Sequence, residues 1–131
     1  MKQFALTPDM LTALGVFYPT GYAFVMFPDE RSAREAAEAL VDSHPDTTYL
    51  SPQTILQQLG AADGDSDGGL PSVGTEAATV EKYLTLAREG HHALLVAAPS
   101  DASRDRLMAV ARRFGFSYAQ KYHLLAMEDL E

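Results

Sequence analysis

Gly21-Tyr22-Ala23-Phe24-Val25-Met26-Phe27 is the stretch on which the reading of this chain turns. Tyr22, Phe24, Phe27 and the β-branched Val25 make it strongly β-forming, and Pro28-Asp29 follow at once with the opening of an amphipathic helix. It predicts a strand in the middle of a sheet. Side chains alternate along a strand, so the stretch divides itself between two faces: Ala23, Val25 and Phe27 on one, Tyr22, Phe24 and Met26 on the other.

Downstream, Asp29 is placed to cap a helix in which Ala33, Ala36, Ala37, Leu40 and Val41 recur at helical spacing, with Arg31, Arg34, Glu35 and Glu38 opposite. Thr47-Thr48-Tyr49-Leu50 reads as a short strand, and Ser51-Pro52 opens a brief helix through Ile55, Leu56 and Leu59 to Gly60. Residues 61–74 gather glycine and aspartate without an apolar period, which predicts an acidic surface loop. Thr75 then caps a helix with Ala77, Val80, Leu84 and Ala87 inward, stopped by Gly90. His91 to Ala98 is a second apolar strand, and Pro99-Ser100-Asp101 starts a long helix with Leu107, Val110, Ala111 and Phe114 as its stripe. Tyr118 to Met127 closes the series as one last strand. Upstream, residues 1–20 form an N-terminal extension with a short helix signal from Thr7 and Pro8 through Leu11 and Leu14 to Gly15.

The implied order is strand-helix-strand, a helical insertion between the two halves, and strand-helix-strand again. That is the ferredoxin-like split βαβ pattern, an α+β sandwich in which a four-stranded antiparallel sheet has its first and third strands in the middle. Those are the two most apolar strands here. Residues 1–131 suffice for one domain. Helices would cover one face of the sheet and leave the other open.

With no cysteine, the chain has no disulfide framework, thiol nucleophile or thiolate metal site. A formal net charge of -8 opposes binding to phosphate backbones, and the basic residues are scattered among acids: Arg31 and Arg34 sit beside Glu30 and Glu35, and Arg104 and Arg106 beside Asp101 and Asp105. No apolar run approaches the roughly 18 residues of a membrane span, and the interrupted N-terminus makes a cytoplasmic location the expectation.

Thr20 to Phe27 matches the third-strand consensus of RNA-recognition motifs except at its basic first position, so Tyr22 and Phe24 are candidates for stacking bases. The upstream half of that motif is missing. Asp63, Asp65 and Asp67 alternate ahead of Gly68 as in the first half of an EF-hand loop, a candidate calcium site, but the twelfth position is Gly74 instead of a bidentate Glu. The four histidines lack metal-ligand spacing: His91 and His92 are adjacent in a strand and face opposite ways. No catalytic residue is assigned.

The open face is the stronger lead. Tyr22, Phe24 and Met26, joined by Tyr118 and Tyr122 from the neighbouring last strand, would form an apolar aromatic patch too large to leave wet on a monomer. Homodimerisation through this face is the expectation. The alternatives are a small planar ligand or an enzyme site lined by Tyr22, Tyr118, Tyr122 and His123, and RNA on Tyr22 and Phe24.

Tyr22 to Leu40, the helix ending Leu86-Ala87-Arg88-Glu89-Gly90 before an apolar strand, and Phe114-Gly115 through Tyr122 to Glu128-Asp129-Leu130 together resemble the heat-induced general stress protein family of bacteria (YflT-like). The likeness covers most of the chain after residue 20; the acidic loop and the N-terminal extension depart from it. The resemblance implies a stress-associated accessory role and carries no catalytic residue.

Overall fold

A computed structural model describes residues 2–4, 6, 7, 10, 11, 17–60, 75–123 and 126–131. The chain is α+β, built on a single sheet. In chain order the elements are β1 (Lys2–Gln3), β2 (Tyr22–Phe27), α1 (Glu30–Leu40), β3 (Thr47–Leu50), α2 (Pro52–Thr54, running on as a π-helical turn Ile55–Leu59), α3 (Thr75–Arg88), β4 (His92–Ala97), α4 (Asp101–Arg113), β5 (Tyr118–Tyr122) and β6 (Met127–Asp129).

Among the described residues the sheet has six strands in the order β1-β3-β4-β2-β5-β6, two more than the four expected. Both additions are short and lie at the edges. The N-terminal extension supplies β1, which pairs parallel to β3 with Lys2 opposite Thr48. At the other edge, the single last strand expected from Tyr118 to Met127 is instead two, β5 and β6 pairing antiparallel with Tyr122 opposite Met127. Each of the four inner strands is antiparallel to its neighbours among them, and β2 lies between β4 and β5.

Local chemistry accounts for the elements flanking β2. The Asp29 carboxylate accepts the Ser32 amide at 2.7 Å, capping α1 at its first free donors, and that bond lowers the Asp29 pKa. Its inner face is small, with Ala33, Ala36 and Ala37 beside Leu40, so the helix lies close on the sheet. Its outer face is stitched by the four-residue pairs Glu30–Arg34 and Arg31–Glu35. Ser100 and Ser103 form a reciprocal capping box at the start of α4. The turn into β2 relies on Gly21, at φ 87°.

Two cores result, one on each side of the sheet. Ala23, Val25 and Phe27 of β2 pack with Leu94 and Val96 of β4 against α1 and α4. Phe24 and Met26 pack with Leu95, Tyr122, Ile55 and Leu59, with Val80, Tyr83 and Leu84 of α3, and with Phe4 and Phe17. The alternation read along β2 therefore separates the two cores as expected. The second face, however, is covered, because α2, α3 and the N-terminal segment lie on it. The short helix signal between Thr7 and Gly15 falls mostly outside the described residues, as does the acidic loop of residues 61–74.

Phe24 has no exposed surface. Substituting alanine for it is expected to destabilise the fold by about 3–5 kcal/mol, as for other buried aromatics, read as a fall in the urea midpoint. A midpoint unchanged from wild type would contradict its place in the core.

Candidate interaction face

The five aromatic and apolar residues singled out for an open face are on one face, as expected, but that face is closed. Phe24, Met26 and Tyr122 are fully buried, and Tyr22 and Tyr118 are half-buried. The Phe24 ring lies 4.1 Å from Tyr83 and meets Phe17 edge-on at 5.8 Å; Phe17 also meets Tyr122 at 6.0 Å and Phe4 at 6.1 Å. The exposed patch that argued for a second copy, a planar ligand or RNA is therefore filled by the same chain. Tyr22 turns its hydroxyl to Asp46 at 2.8 Å, and stacking a base on Phe24 would require Phe17 and Tyr83 to leave.

Three parts of the cover escaped the sequence reading. Tyr83 is one residue from Leu84 and three from Val80, so the helical period admits it to the inward stripe. Its hydroxyl bonds to that of Tyr122 at 2.6 Å, and burial, then the neighbouring Tyr122, pushes its pKa well above the ordinary value. Phe17 and Tyr18 carried an aromatic signal beside Pro19; Tyr18 donates to the His123 carbonyl at 2.6 Å. The third part, Gln58, had no signal. It sits in the π-helical turn, where its side-chain amide accepts from the Leu6 N–H at 2.8 Å and donates to the Phe4 carbonyl at 3.3 Å. One amide thus satisfies a donor and an acceptor of the N-terminal segment, as a neighbouring strand would.

On the opposite side of the sheet the titratable groups are also engaged. Lys121 is only 4% exposed, and its ammonium donates to the Ala98 carbonyl. Burial lowers its pKa first, Arg104 lowers it further, and Glu128 and Asp101 counteract. Glu128 bridges His123 at 3.0 Å and Arg104 at 3.1 Å, and the His123 bond is the main cause of its lowered pKa. Each of the four histidines has its own partner: His44 bonds Ser43 and the Ser103 carbonyl, His91 bonds Ser117, His92 bonds Tyr49, and His123 bonds Glu128. Among the described residues, no three His, Asp or Glu side chains are placed to hold a metal ion. The calcium candidates Asp63, Asp65 and Asp67 lie outside the described residues. A shallow hollow on the surface is lined by Glu30, Arg31, Arg34 and Glu35, whose charges are paired with one another. No helix among the described residues is long and apolar enough to cross a membrane.

Compared with known proteins, the chain matches no protein-family model, no curated protein and no solved structure.

The buried ammonium sets a pH dependence. The folded pKa of Lys121 lies below its ordinary 10.5, so at alkaline pH the unfolded chain binds more protons and stability gains with rising pH across that window. As the pH rises toward that ordinary value, the urea midpoint of wild type is expected to rise relative to that of Lys121→Met, which has no such proton to lose. Parallel pH profiles for the two proteins would contradict the assignment.

Proposed function

We propose that this chain is a non-catalytic interaction domain with a stress-associated or regulatory role, working in the cytoplasm as a homodimer on a ferredoxin-like split βαβ frame. The order β3-β4-β2-β5 of the inner strands supports the frame, since it puts the first and third strands of the two repeats in the middle. The observation that carries the functional reading is that both faces of the sheet are filled and the polar groups on them are committed to structural bonds. Tyr122 is held by Tyr83, Lys121 by the Ala98 carbonyl, and Tyr22 by Asp46. A group that already spends its proton or lone pair on a neighbour inside the core is a poor acid, base or nucleophile toward a substrate. The chain therefore meets other molecules through its exterior. The likeness of its strand and helix pattern to bacterial general stress proteins supports the same class of role.

The RNA reading loses its platform with Phe24 buried, and the formal charge of -8 opposes it further. Two measurements test the proposal together. Light scattering across a dilution series is expected to give the mass of a dimer, and filter binding at low salt to retain no RNA. A monomer at every concentration, or RNA retention that falls steeply with salt, would overturn it.

A further inference from the structure

We infer that Tyr49, His92, Glu30 and Arg34 form a proton-operated latch between α1 and the sheet: a proton taken up by His92 inverts its bond to Tyr49 and draws Glu30 away from Arg34. The input is pH, and the output is the charge pattern on the exposed face of α1.

The four residues meet at one end of the sheet. His92 opens β4 opposite Phe27, the last residue of β2, and only Pro28 and Asp29 separate Phe27 from α1. The Tyr49 hydroxyl of β3 lies 2.5 Å from His92 Nδ1, with the two rings 23° from parallel. The Arg34 guanidinium lies over the Tyr49 ring, 5.1 Å from its centroid, and its Nε donates to Glu30 at 2.6 Å. Contacts therefore run unbroken from His92 through Tyr49 and Arg34 to Glu30. The other charged or titratable groups acting on His92 are Asp29, at the start of α1, and His91 beside it. Asp29 is engaged with the Ser32 amide as the helix cap, which leaves Glu30 as the mobile carboxylate.

The chemistry of the Tyr49–His92 bond makes it a switch. A phenol hydroxyl gives its hydrogen to a neutral imidazole nitrogen, which places the ring's own hydrogen on Nε2. The lone pair left to take up a second proton is then the one on Nδ1, the nitrogen that accepts from Tyr49. Two hydrogens do not fit in one bond, so the Tyr49 hydroxyl turns its hydrogen away and accepts instead. Burial, the largest influence, holds the His92 pKa below its ordinary 6.5, so the ring is neutral at neutral pH and charges in acid. Glu30 is the charge that acts most strongly on His92, ahead of Arg34. Its pair with Arg34 joins two side chains about half exposed, a kind of pair that is weakly held. A new positive charge on His92 competes for that carboxylate and leaves Arg34 on the Tyr49 ring, facing the hollow it shares with Arg31 and Glu35.

Nitrogen-15 NMR of the histidine rings and of the Arg34 Nε–H, followed as the pH is lowered from neutral, tests the latch. At neutral pH His92 is expected to carry its hydrogen on Nε2, and its titration midpoint is expected below 6.5. The Arg34 Nε–H signal is expected to shift with the same midpoint. In His92→Gln that step is expected to vanish, leaving only the response to Glu30 itself below pH 4.5. Both helix positions are exposed, so their variants leave the core intact: Glu30→Gln is expected to lower the His92 midpoint and Arg34→Met to raise it. An Arg34 signal that does not follow His92, a hydrogen on Nδ1 at neutral pH, or a midpoint indifferent to both substitutions would overturn the latch.

Discussion

The contact between Phe24 and its two covers is the constraint on which the rest of the structure depends. β2 lies in the middle of the sheet and carries apolar side chains on both faces. Burying a side chain the size of phenylalanine stabilises a fold by about 1.5–3 kcal/mol, and leaving it wet forfeits that. Each face of β2 therefore needs its own layer. Two helices supply one. The other is assembled from α2, α3 and a segment that comes before β2 in the chain. The Gln58 clasp, the positive φ at Gly21 and the hydroxyl contact between Tyr83 and Tyr122 all serve that second layer.

Much of the fold was legible because the relevant rules act over a few residues. Asp29 and Ser100 announce helix starts through their side chains, and alternation along β2 assigns its residues to two cores. The six-stranded count was not legible. A two-residue edge strand such as β1 carries no period, and β6 is separated from β5 by a break that the run of apolar residues to Met127 conceals. The covering of the aromatic face was hidden for a related reason: nothing in the sequence near Phe24 states that Phe17 folds back upon it, seven positions away and through a turn. Alternation groups the residues of that face and does not name what covers them.

The short edge strands have a consequence of their own. Exposed strand edges pair with other chains, and proteins limit this with brevity and charge. β6 is three residues long, with Glu128 and Asp129 tied to Arg104 and Gln120. β1 is two residues long. An assembly of this chain through the outer strands would have little backbone to use.

The central claim is that the aromatic face is covered by the N-terminal segment, and ring-proton contacts measured by nuclear Overhauser spectroscopy test it most directly. Cross-peaks from Phe17 to both Phe24 and Tyr122 are predicted, in keeping with centroid separations of 5.8 and 6.0 Å. A Phe24 ring with no cross-peak to Phe17, in a protein whose β2 and β4 amides remain protected, would contradict the account.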